Sequence, residues 1–190
     1  MDNLSMGKKR NKEETMRGFL VYIILVALFT LPIFIGPVIL NNDLEAFEGL
    51  HKFYEPTCHQ LTSRSQCYFP ETGTYEDCYN SSEYQDSKEI VVDGGYKLPV
   101  CARDTGFYGF MLIGGILMFA LNKHKDNEIP PFIWIIVALI PIGLDGGTQF
   151  LGLRESTNLL RFITGGIAGI VFPFYVVPML NRMLDKKTKA

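Results

Sequence analysis

The chain has 190 residues, 47% of them hydrophobic and 20% charged, with a formal net charge of -2 and four cysteines. That length holds one domain, and no nucleic-acid partner is expected, since the basic N-terminal residues stand beside an apolar run long enough to span a membrane. Mean hydropathy is only +0.13 because apolar and polar residues are segregated into blocks, so the composition points to a polytopic membrane protein rather than to a large soluble core.

Residues 1–17 carry Lys8, Lys9, Arg10, Lys12 and Arg17 and read as a basic, disordered cytoplasmic tail that signals topology. The next run, 18–40, has no charge and is long enough to span about 30 Å of hydrocarbon. Tail and run together resemble a signal peptide. The run is too long for an h-region, and no small-residue cleavage site follows, so a retained helix is expected. Pro32 and Pro37 should bend or end its outer part.

The segment 41–104 contains all four cysteines: Cys58, Cys67, Cys78 and Cys101. Four cysteines allow three pairings, which spacing does not separate. The preferred pairing is Cys58–Cys101 with Cys67–Cys78, the second closing a polar insert rich in Tyr, Asn and Ser. The stretch VDGGYKLP suggests a small hairpin, and Asn80-Ser81-Ser82 is a glycosylation sequon.

Three further apolar runs follow. The run 106–121 is just long enough to span if Thr105 and Asn122 lie at the interfaces, and Lys123 and Lys125 come next. The run 131–144 reaches only about 21 Å at helical rise. Continuing its helix through Asp145 to about Leu153 supplies the missing length and puts Asp145 and Gln149, four apart, on one face. A break at Gly146-Gly147 is the alternative. The run 159–180 ends in NRMLDKKTK, which holds Arg182, Lys186, Lys187 and Lys189.

Basic residues set orientation. Four spans place both termini and the 123–125 connection in the cytoplasm, with 41–104 and the 152–156 turn outside. The expected fold is therefore an all-α membrane protein. It has four transmembrane helices in one domain, 18–190, and a disulfide-braced extracytoplasmic segment between helices 1 and 2.

Four motifs stand out: CHQLTSR at 58–64, PVCARDTGFYG at 99–109, LDGGTQ at 144–149 and LGLRESTNLLRFITGG at 151–166. Together they resemble a family of small predicted membrane proteins of unknown function. That family shows CHQ followed by RS, then C-A-R with G-x-Y-x-G, LDGxTQ, and RESTN-LR-TG. The resemblance covers roughly 55–169. It implies that 67–95 is an insertion relative to shorter members. Many relatives read C-A-R-C where this chain has Cys101-Ala102-Arg103-Asp104.

The chemistry follows from residue type. Cys58-His59, with His51 and Cys101 nearby in sequence, matches no zinc spacing, and adjacent residues rarely ligate one ion. No metal and no cofactor are expected. With no C-x-x-C present, a thiol oxidoreductase is not expected either. Arg64, Arg103, Arg154 and Arg161 suit a phosphate or carboxylate, which guanidinium grips bidentately, and Gln60, Tyr108, Gln149, Glu155 and Asn158 join them as substrate-binding candidates. Asp145, Asp104 and His59 are the candidates for catalytic proton transfer.

Arg154, Asn158 and Arg161 form one stripe if the last helix starts early, running on into Gly165 and Gly169. Asp145 and Arg161 are expected to pair. The plainer readings are a helix entry at Asp104, a surface turn at Arg154-Glu155 with Ser156 as N-cap, and a purely structural Asp145–Arg161 bridge.

The function these residues suggest is recognition or processing of an anionic, lipid-linked substrate at the outer leaflet. The partners are the lipid bilayer, an anionic lipid and, in a tight assembly, further copies of the chain. A small transporter or channel subunit, and a non-catalytic assembly factor, are the alternatives.

Overall fold

The computed structural model describes residues 2–78 and 87–187, with side chains from Met16 to Leu184 inside those bounds. The Asn80 sequon lies outside the described residues. Helix α1 (Asp2–Ile39) begins within the basic segment, where a disordered tail was expected. That segment holds good helix formers and no proline, so helix propagates into it from the apolar span. Helix α2 (Leu44–Tyr54) follows, its first turn capped by the Asp43 carboxylate accepting from Ala46 N–H.

The segment between α1 and α3 is not all helix, which corrects the all-α expectation. It holds a four-stranded antiparallel sheet of β1 (Gln66–Phe69), β2 (Thr74–Asp77), β3 (Val91–Val92) and β4 (Gly95–Lys97), in the order β2-β1-β4-β3. The reason is local. Asp93 and Gly94, with φ of 50° and 80°, make the tight turn that the VDGG stretch forecast. The Cys67–Cys78 disulfide ties β1 to the end of β2. Strand β2 is exposed along its whole length, while β1 and β4 turn Cys67 and Lys97 inward.

Helices α3 (Ala102–Ala120), α4 (Ile133–Phe150), α5 (Asn158–Val171) and α6 (Pro173–Lys187) complete the chain. The expected single last helix is interrupted at Phe172, where Pro173 has no N–H to continue the ladder. Helices α3 and α5 run parallel at very close range. A Cβ on Gly106 would sit 2.1 Å from Phe162 O, one on Gly165 2.1 Å from Arg103 O, and one on Gly169 2.2 Å from Phe107 O. Glycine alone permits that approach. Helix α1 lies antiparallel to α3, with Tyr22 donating to Met111 O at 2.9 Å, and reaches α6 where Gly18 meets Asn181.

Among the described residues, three stretches are long and apolar enough to cross a membrane: Met16–Ile39, Ile133–Phe150 and Asn158–Leu184. Helix α3, the fourth expected span, carries Arg103 and Asp104 in its first turn, and those charges keep it outside that group. Helix α4 buries only Ala138 and Asp145, and exposes Trp134, Ile136, Ile140 and Leu144 as a lipid-facing helix does. The start of α3, the end of α4 and the start of α5 converge beneath α2 and the sheet. This is the sheet end of the bundle. The Lys123–Lys125 turn and Arg182 mark the far end, where Arg182 Nε donates to Asn127 O.

Candidate functional site

The sheet end encloses a cavity of about 250 Å³. Of the expected site residues, His59, Gln60, Arg64, Arg103, Asp104, Gln149 and Arg161 line it, together with Cys58 and Cys101. A larger cavity of about 540 Å³ lies against α2. It mixes Glu48, Glu55 and Glu89 with Lys52 and Lys88, and shares only Gln60 with the expected set. Opposite charges there offset one another, whereas three arginines converge on the smaller cavity.

Each lining group is held by its element. Gln60 adopts the left-handed conformation at φ 55°, which turns the chain back under α2. Its side-chain nitrogen donates to His51 O at 2.6 Å and Pro99 O at 2.8 Å, while its backbone carbonyl accepts from Lys97 Nζ at 2.8 Å. The amide nitrogen expected to grip substrate is therefore committed to the backbone, and Gln60 works as a clamp. Lys97, fully buried, has its pKa pushed down to about 8 by burial. Sequence gave no warning of Lys97, a lone lysine in a short strand.

The two remaining cysteines are not bonded to each other, which corrects the expected Cys58–Cys101 disulfide. They are neighbours all the same. Cys58 Sγ accepts from Cys101 N–H at 3.1 Å and Gln60 N–H at 3.5 Å, and Cys101 Sγ donates to Asp104 Oδ2 at 3.1 Å. Hydrogen bonding from Cys101 lowers the Cys58 thiol from its ordinary range against the opposing effect of burial. Hydrogen bonding with Cys58, then burial, pushes the Cys101 thiol up.

Asp145 is 2% exposed and does not pair with Arg161. Its Oδ2 meets Arg103 Nη2 at 2.5 Å, and its Oδ1 meets Arg154 Nη2 at 2.8 Å and Ser156 Oγ at 2.6 Å. The glycine contact between α3 and α5 carries Arg103 over Gly146, whose added Cβ would lie 3.4 Å from Arg103 Nη1. Arg103 therefore reaches Asp145 first. With both oxygens occupied, Asp145 braces arginines.

Arg161, 3% exposed, donates through Nη1 to Asn158 Oδ1 at 2.8 Å, with Glu155 Oε2 3.8 Å from Nη2. Asn158 in turn donates to Ser65 O at 3.4 Å, fixing α5 to the strand region. Gln149 Nε2 donates to Glu155 Oε2 at 3.0 Å. The Nε atoms of Arg103 and Arg161 are buried with no hydrogen-bond partner, and Arg64 makes no ion pair among the described residues.

The expected stripe of Arg154, Asn158 and Arg161 holds only for its last two members. Helix α5 starts at Asn158 with Thr157 as N-cap, not Ser156. Arg154 precedes it and bends back to Asp145, with Nε donating to Thr148 Oγ1 at 3.1 Å. Tyr108 lies off the cavity, its ring edge-on to Phe29 at 4.9 Å. Ser156, in the turn before α5, and Thr148, within α4, were missed as partners because a lone hydroxyl carries no distinguishing sequence signal.

Comparison with known proteins places these residues in context. The family described as predicted membrane protein (DUF2085) matches residues 85–175. An uncharacterised protein of Methanocaldococcus jannaschii is 35% identical over 177 residues, covering 90% of this chain and 97% of its own length. An uncharacterised protein of Methanothermobacter thermautotrophicus is 37% identical over 78 residues, covering 40% of this chain and 67% of its own. No solved structure matches the chain significantly.

Proposed function

The chain belongs to the DUF2085 family of predicted membrane proteins, and from that premise we propose that it recognises an anionic, phosphate- or carboxylate-bearing group in the cavity at its sheet end. The observation that carries this reading is the cluster of Arg64, Arg103 and Arg161 around one cavity, two of them with buried, unpartnered Nε atoms. A buried guanidinium N–H left without an acceptor costs free energy, and an anion's oxygens relieve that cost bidentately. Asp145 and Asn158 hold Arg103 and Arg161 in place beforehand, so little side-chain entropy is lost on binding.

The reading includes orientation. Helix α3 runs parallel to α5 and antiparallel to α1, as the second of four spans would. Lys123, Lys125 and Arg182 gather at the far end, which supports a cytoplasmic position for that end and an outer position for the cavity. An anionic lipid headgroup and a free anion share the recognised chemistry, and the outer leaflet supplies the former.

The test uses purified protein in nanodiscs. Inorganic phosphate, or phosphatidic acid in the disc, should raise the unfolding temperature over chloride at matched ionic strength, and pure phosphatidylcholine should not. Arg64→Gln, at a half-buried position, should weaken phosphate binding by about tenfold or more with the fold intact. Equal stability in phosphate, succinate and chloride, and in discs with or without phosphatidic acid, would sink the reading. Stabilisation by the lipid alone identifies the headgroup as the source.

A further inference from the structure

We propose that Cys58, Cys101 and Asp104 form a zinc site whose fourth position opens into the same cavity. Their ligand atoms, two sulfurs and a carboxylate oxygen, all lie within 4.8 Å of one another. Zinc with bonds of about 2.3 Å to sulfur and about 2.0 Å to oxygen holds tetrahedral ligands roughly 3.3–3.8 Å apart. Closing the three atoms onto an ion therefore takes side-chain movements of no more than about 1 Å.

The scaffold favours that closure. Cys101 immediately precedes α3 and Asp104 lies in its first turn, so the spacing of three puts both on one face. Cys58 comes from the turn after α2 and is aimed at them by two backbone N–H groups, from Cys101 and Gln60, donating to its sulfur. Such outer hydrogen bonds orient metal-bound ligands. Two sulfurs in the set select zinc over magnesium or calcium, which prefer all-oxygen cages.

Three protein ligands leave one position open, as in zinc sites that bind a water or substrate. All three ligands line the cavity with Arg64, Arg103 and Arg161. An oxygen of a bound anion would occupy the open position while the arginines hold the rest of it. Metal binding does not depend on the anion reading, since the ligand set is complete without it.

The experiment is a metal titration of the full chain, purified in detergent with its thiols kept reduced and no phosphate present. Zinc content should reach one ion per chain after gel filtration, and cobalt substituted for it should give thiolate-to-cobalt charge transfer with tetrahedral ligand-field bands. Cys58→Ser should abolish the charge-transfer band. Asp104→Asn keeps both thiols and should weaken zinc by at least the tenfold that loss of an outer partner costs, while the metal-free variant still unfolds cooperatively. Reduced wild-type protein that retains no zinc overturns the proposal, as does Asp104→Asn binding zinc with wild-type affinity and spectrum. So does a chain that forms a Cys58–Cys101 disulfide and binds no zinc once reduced. If zinc is not bound, phosphate stabilisation of the metal-free protein leaves the arginine reading standing on its own.

Discussion

At the scale of single residues, Asp145 is the group on which the cavity's charge arrangement rests. Both its oxygens are bound, and Arg103 and Arg154 depend on it. Asp145→Asn should cost about 3 kcal/mol, because it strands Arg103 beside a nearly buried amide. Arg154→Gln should cost less than about 1 kcal/mol, since that side chain is 42% exposed and its pairing is screened. Thermal unfolding in detergent separates the two, and equal losses would contradict this account.

His51 gives a pH-dependent prediction at the same scale. It is buried, its Nδ1 lies 3.1 Å from Phe47 O, and burial pushes its pKa down to about 4. The unfolded chain takes up a proton near pH 6.5 that the folded chain refuses until about pH 4. The unfolded state thus holds more protons across that window, and stability falls as pH drops through it. Replacing His51 with Gln should flatten the slope of unfolding temperature against pH between 6.5 and 4.

At the scale of elements, the contact between α3 and α5 sets the site. Gly165→Ala forces a methyl to within 2.1 Å of the Arg103 carbonyl. Backbone cannot yield there as a side chain can, so a loss of at least about 1–3 kcal/mol is expected, with phosphate binding impaired because Arg103 and Arg161 move apart. Gly143→Ala is the control. Nothing lies within 4 Å of its added Cβ, and it should gain up to about 1 kcal/mol of helix propensity. The small sheet depends instead on Cys67–Cys78, which closes a short loop. Its reduction should cost about 3 kcal/mol in the chain-entropy picture, read as a lower unfolding temperature after thiol treatment.

At the scale of the whole molecule, the bundle is polarised. One end carries the sheet and the arginine cavity, and the other the Lys123–Lys125 turn and Arg182. Cysteine-reactive probes placed singly at Glu76 and at Lys125 should report opposite sides of the membrane, with Glu76 accessible from outside. Labelling of both positions from one side would remove the four-span arrangement. Helix α4, apolar and exposed along most of its length, is the face that lipid or a second copy would cover.

Hydropathy, turn chemistry and charge placement are local properties, and what they encode was legible in the sequence. The membrane class, the long apolar runs and the hairpin at Asp93-Gly94 all follow from neighbours along the chain, whereas the Cys67–Cys78 disulfide was one preference among three pairings. Strands β1 and β2, which extend the hairpin into a sheet, were not read, because two four-residue segments carry too few residues for a period-2 pattern to declare itself. The identity of each charged partner was not legible either. Asp145 and Arg161 sit on adjacent helices, yet glycines at 106, 165 and 169 draw α3 so near α5 that Arg103 reaches the carboxylate instead. Gln60 turned out to be a clamp because a left-handed backbone points its amide at two carbonyls. Cys58 meets Cys101 and Asp104 only because α2 ends where α3 begins in space. Such meetings depend on helix rotation and approach distance, which are set by contacts between residues far apart in sequence, and only the tertiary structure decided them.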